Sequence, residues 1–299
     1  MPRLEQLAHF FPRIWTPPTL FILILMAISA QEYLLFHTLV ELFTILVAMT
    51  LFVVIWHTYA FSRNHYFMAL GCGYFWVGII DMIHTLTYSG MGLITTASSY
   101  PAVQLWLVAR FGEAFLLLLA PILFHTSLRR IRLFILMGAI TILCIWMVFS
   151  GHFPEAYQKG IGLTPFKIYS EYIIIVILAL SIIHLMLNRA RMERDILRLM
   201  TIAIILTILA EAAFTTYISL YGSANMVGHI FKFFSFWLVF EAIIRTTLTE
   251  PYKILARDAG AYDAVQDPII VVDDSGMIRQ ANQAAAGFAG CPKEELFGR

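Results

Sequence analysis

Residues 34–61 read LLFHTLVELFTILVAMTLFVVIWHTYAF, from Leu34 to Phe61. A helix needs roughly 20 apolar residues to cross the hydrocarbon core of a bilayer. This run supplies them, and its only acidic or imidazole side chains are Glu41, His37 and His57. Seven further stretches follow the same pattern, at about 14–31, 66–87, 104–126, 131–150, 169–188, 197–220 and 227–248. The first is the shortest apolar run, and Pro17 and Pro18 are expected in the opening turn of its helix, where proline is tolerated. The fold class predicted is therefore an all-α polytopic membrane protein with eight transmembrane helices.

Composition agrees with that reading. Of 299 residues, 60% are hydrophobic and 13% charged, against about 45–50% and 25% in soluble domains. That excludes a water-soluble enzyme. A net charge of +1 argues against a nucleic-acid binder. Cys72, Cys144 and Cys291 are too few and too scattered for a disulfide framework or a Cys-ligated zinc site.

Lys and Arg set the expected orientation, because cytoplasmic loops carry the positive excess. Arg3, Arg13, Arg63, Arg129, Arg130, Arg132, Arg189, Arg191, Arg194, Arg198, Arg245, Lys253 and Arg257 fall on one side, and Lys159 and Lys167 on the other. Both termini are then cytoplasmic. No cleavable signal peptide is visible.

The balance changes near residue 257. Residues 1–257 carry 17 basic and 12 acidic side chains, and residues 258–299 carry 3 and 7. The tail reads as soluble, with a β-prone run Ile269-Ile270-Val271-Val272, a turn at Asp274-Ser275-Gly276, a return at Met277-Ile278, and a short helix from Asn282 to Phe288. Some forty residues bury too little surface to stand as a domain, so a longer module is expected to begin here. The expected division is a membrane domain over 1–250, a helical linker over 251–262, and the opening of a soluble module over 263–299.

Charges inside spans cost several kcal/mol unless they face a partner or a cavity, which makes each one a functional candidate. His37 and Glu41 are spaced i, i+4 and Asp81 and His84 i, i+3, so each pair shares a helical face. Trp106, Arg110 and Glu113 form one stripe, Glu211 lies in the seventh span, and His229 and Lys232 open the eighth. With the topology above, all ten sit in the outer half. They line either an internal ion-pair network that fixes helix register or an outward-facing pocket for a small ligand. Arg110 suits a carboxylate, whereas the acidic surplus suits a cation. A metal held by His37, Glu41, Asp81 and His84 is a further alternative. So is a haem between His57, His125 and His184 near the opposite ends of their spans. No GxSxG, P-loop or kinase motif is present, so no catalytic residues are assigned.

The segments His37-Thr-Leu-Val-Glu41, Asp81-Met-Ile-His84-Thr-Leu-Thr-Tyr88-Ser-Gly-Met-Gly92 and Gln104-Leu-Trp106-Leu-Val-Ala-Arg110-Phe-Gly-Glu113 resemble the motifs of the membrane-associated sensor domain family, third type (the MASE group). The tail from Asp267 to Asn282 resembles the start of a PAS domain. These resemblances imply a sensory input domain of the bacterial inner membrane, followed by PAS modules and a diguanylate cyclase or histidine kinase as output. They also imply a homodimer. A small-solute transporter is the alternative from another class, but no broken-helix inverted repeat supports it.

Overall fold

The computed structural model describes residues 2–94, 100–126, 129–158, 160–216, 222–249 and 260–298, with side chains from Trp15 onward. Eight long helices dominate it: α1 (Pro2–Ser29), α2 (Tyr33–Ser62), α3 (His65–Leu86), α4 (Pro101–Leu119), α5 (Arg130–Phe149), α6 (Pro165–Leu187), α7 (Arg194–Phe214) and α8 (Ser223–Ile244). Their limits follow local chemistry. Asn64 caps α3 by accepting from the Phe67 amide at 3.1 Å. Proline stands at the start of α4 and of α6, and Thr164 caps α6 by accepting from the Lys167 amide. Pro121 has no amide hydrogen to continue the ladder, and α4 gives way to a 3-10 turn over Ala120–Phe124. A two-stranded hairpin, β1 (Tyr157–Gln158) with β2 (Gly162–Leu163), links α5 to α6.

Among the described residues, seven helices are long and apolar enough to cross a membrane, α2 to α8. The apolar part of α1, Trp15–Ser29, is shorter. Pro17 and Pro18 fall well inside α1 rather than in its first turn. Transmembrane helices tolerate internal proline where neighbouring groups satisfy the freed carbonyls.

Helices α2, α3, α4, α6, α7 and α8 pack in a closed ring, each against the next, with α8 returning to α2. Helix α1 lies outside against α2 and α8, burying Ile22 and Leu25 against Phe36, Val40 and Phe233. Helix α5 lies outside against α3, where the Trp76 indole donates to the Phe134 carbonyl at 3.0 Å. The outer face of α5 presents Ile135, Leu136, Ile140, Ile142, Leu143 and Trp146, the composition expected of a lipid-facing surface. Small residues allow close approach: a β-carbon on Gly73 would meet the Leu116 side chain within the ring, and one on Gly138 of α5 would meet the Trp76 ring of α3.

The chain divides into two compact units, Met1–Ile244 and Arg245–Arg299. The second begins with a π-type turn, Arg245–Thr249. Of the expected helical linker, 251–259 lies outside the described residues, and 260–264 is helical. Strands β3 (Ile270–Val272) and β4 (Ile278–Ala281) pair antiparallel with a bulge after Val271, followed by helices Gln283–Ala289 and Lys293–Leu296. Asn282 organises this unit. Its carboxamide oxygen accepts from the Ile269 and Ala285 amides, and its nitrogen donates to the Asp267 and Val265 carbonyls.

Candidate functional site: a buried ionic cluster

The ring of helices encloses charge. His37, Glu41, Asp81, His84, Trp106, Arg110, Glu113, Glu211, His229 and Lys232 are all buried, none more than 4% exposed. The i, i+3 and i, i+4 spacings do the first part of this work, turning paired side chains to the inner face of α2, α3, α4 and α8.

Two cations organise the centre. Arg110 on α4 donates from Nη2 to both Asp81 oxygens on α3, at 2.9 and 2.8 Å, and from Nη1 to Glu113 one turn further along α4. Glu113 also accepts from the Tyr74 hydroxyl at 3.1 Å. Lys232 on α8 donates to both Glu41 oxygens on α2, at 2.9 and 2.7 Å, and lies 3.0 Å from Asp81 Oδ2. Asp81 therefore joins the two cations. The Trp106 ring lies 4.8 Å from both the Arg110 guanidinium carbon and the Lys232 ammonium, within cation–π range. Glu211 on α7 lies in the field of Arg110, Lys167 and Lys232.

The imidazoles form a second group beside these ion pairs. His37 stacks on the Tyr88 ring at 3.7 Å, and its ring centroid is 4.7 Å from that of His229 and 5.5 Å from that of His84. His84 Nδ1 donates to the Ala102 carbonyl and His229 Nδ1 to the Asn225 carbonyl, both at 2.8 Å. A cavity of about 20 Å³ borders His84, Trp106 and His229, room for about one water molecule.

Lys167 and Glu171 were not among the expected site residues. Lys167, read above as an outer loop charge, lies buried in the first turn of α6 and pairs with Glu171 one turn on. It also borders the same small cavity. Lys159 is then the only basic residue between α5 and α6. A signal was available, since Lys167 and Glu171 are spaced i, i+4. Tyr74, seven residues before Asp81 and hence on the same face of α3, was also legible in principle. With Lys167 and Glu171 included, five carboxylates face three cations, a formal surplus of two negative charges if the imidazoles are neutral.

The histidines of the haem alternative lie elsewhere. His125 Nε2 donates to the Asn188 side chain at 2.8 Å, His184 Nδ1 donates to the Leu118 carbonyl at 2.7 Å, and His57 is exposed. Asp81, included in the expected metal set, is taken up by Arg110 and Lys232. His229 stands in its place beside His37, Glu41 and His84.

A bundle of apolar helices around a closed ionic cluster defines a polytopic membrane protein with a polar centre and no catalytic constellation among the described residues. Residues 28–251 match the membrane-associated sensor domain MASE3, and the chain belongs to that family. No curated protein and no solved structure matches it.

Proposed function

We propose that residues 1–250 form a sensory input domain whose stimulus acts on the ionic cluster, and that α8 relays the response. One observation carries this reading. Lys232, on the helix that leads to the C-terminal unit, holds Glu41 of α2 and Asp81 of α3 together. A ligand or proton that changes this pairing changes which arrangement of α8 is favoured, by as much as its affinity differs between the two arrangements. Residues 251–262 act as the linker and 263–299 as the opening of a PAS module, with a diguanylate cyclase or histidine kinase output in a homodimer of the bacterial inner membrane. A sensor domain is not itself catalytic, and no residue of this chain is assigned a catalytic role.

The test compares the full chain with Arg110→Ala, both extracted with their native lipids. Native mass spectrometry is expected to show a non-lipid adduct on the wild type that the variant lacks, with equal helicity in both. A proton as stimulus would instead appear as altered amide exchange in α8 between about pH 8 and pH 5. Absence of both an adduct and a pH response in the wild type overturns the proposal.

A further inference from the structure

The three imidazoles and Glu41 have the arrangement of a metal site. One ligand atom from each of His37, Glu41, His84 and His229 falls in a group whose members all lie within 4.8 Å of one another. Around a tetrahedral zinc, with bonds of about 2.0–2.1 Å, ligand atoms lie roughly 3.4 Å apart. His229 Nε2 and Glu41 Oε1 are already 3.3 Å apart. Closing the set onto an ion therefore takes side-chain movements of about an ångström, not movement of helices.

Hydrogen bonding has already chosen the tautomers. His84 and His229 each give their Nδ1 hydrogen to a backbone carbonyl, which leaves Nε2 with a lone pair. This is the usual outer support of a metal-bound histidine, a carbonyl or carboxylate fixing the ring through its other nitrogen. His84 Nε2 and both nitrogens of His37 are buried without a hydrogen-bond partner, and His229 Nε2 faces the Glu41 carboxylate at 3.3 Å. Leaving three such atoms unsatisfied in one place is costly, and a coordinated ion would take up two of them together with His229 Nε2. The formal surplus of two negative charges is the complement of a divalent cation.

We infer that His37, Glu41, His84 and His229 form a site for a divalent first-row transition-metal ion of the zinc class. Three imidazoles and one carboxylate suit such an ion, whereas magnesium and calcium prefer all-oxygen ligand sets. Lys232 now occupies the Glu41 carboxylate. Coordination of Glu41 transfers Lys232 wholly to Asp81, its second partner at 3.0 Å. Metal arrival would thereby be felt on α8. That last step rests on the sensor reading above; the metal site itself does not.

The experiment uses the full, tag-free chain in nanodiscs after chelator treatment, titrated with Zn2+ and separately with Co2+. One Zn2+ per chain is expected, with affinity reduced at least about tenfold in His84→Gln and in His229→Gln, and unchanged in His57→Gln. Bound Co2+ should show the intense visible bands of four-coordinate cobalt. X-ray absorption at the zinc edge of the wild type should count imidazole neighbours, a readout that does not depend on any variant folding. Absence of stoichiometric binding, undiminished binding in both histidine variants, or an all-oxygen shell overturns the site. If Zn2+ fails to bind while an organic adduct is lost in Arg110→Ala, the metal site is overturned and the sensor reading stands.

Discussion

Lys232 and Arg110 carry similar charges but sit in different situations. Arg110 donates to both Asp81 oxygens from Nη2 and to Glu113 from Nη1, so two fixed nitrogens of one planar group hold two carboxylates, a geometry lysine cannot reproduce. Lys232 offers a compact charge that two carboxylates share, which makes it the easier of the two to redistribute. Removing one member of a buried pair leaves the other uncompensated and costs about 3–5 kcal/mol. Lys232→Met and Glu41→Gln are each expected to destabilise the bundle by that amount. The double variant should fall short of the sum by about 0.5–3 kcal/mol, read from unfolding in mixed micelles. Additive losses would show that the pair is not coupled. Most of this cluster is legible in the sequence because its charges, alone or in i, i+3 and i, i+4 pairs, stand within apolar runs. Which carboxylate meets which cation is not legible, since that depends on how far each helix is rotated and tilted against its neighbours. Lys167 escapes for a related reason. It stands six residues before the long apolar run Ile173–Leu180, where an interfacial charge and a buried one look alike.

At the scale of elements, close packing of α7 on α8 supports the site from one side. A β-carbon on Gly228 would lie 2.4 Å from the Phe214 ring. That ring packs edge-on against Trp106 at 4.4 Å and His229 at 5.2 Å. Gly228→Ala is expected to cost about 1–3 kcal/mol by overpacking, and Phe214→Leu in the same chain should recover part of it. Thermal unfolding of both variants checks this, and no recovery would place the strain elsewhere. The hairpin of the C-terminal unit offers a pH test. Asp273 accepts from the Ser275 hydroxyl, the Met277 amide and Arg279, which draw its carboxyl from the usual 3.8 down to about 2. A lowered folded-state value stabilises the turn above the ordinary carboxylate range, and that contribution fades as pH falls through about 2. The Ser275 and Met277 amide shifts should titrate with a midpoint near that value, and a midpoint near 3.8 would show an unengaged carboxylate. The turn and both strands were legible from Asp-Ser-Gly between apolar runs. The interior position of Pro17 and Pro18 in α1 was not, because proline chemistry alone favours a helix start.

For the whole molecule, the ring of six helices explains why charge is distributed so unevenly along the chain. The six that enclose the centre supply every buried acid and base of the cluster, while α5, outside the ring, supplies none and turns aliphatic side chains outward. Hydropathy shows the number of apolar segments but does not separate ring from periphery, since α5 and α6 are both long and apolar enough to cross a membrane. The distinction lies in the charged minority, present in α6 as Lys167 and Glu171 and missing from α5 between Leu133 and Phe149. Orientation is a separate matter, set by the charges the bundle leaves outside. The segments joining α4 to α5 and α6 to α7 hold Arg129, Arg189 and Arg191, with Arg130, Arg132, Arg194 and Arg198 in the adjoining first turns, and the segment joining α5 to α6 holds Lys159 alone. With Lys167 moved into the interior, this asymmetry is stronger than the loop count first indicated. By the preference for positive loops in the cytoplasm, a membrane-impermeant maleimide applied to intact cells should label Gly160→Cys. It should spare Arg191→Cys and the native Cys291 until the membrane is opened. Labelling of Arg191→Cys from outside would invert the bundle, and labelling of positions 160 and 191 from the same side would require an odd number of crossings lost or gained between them.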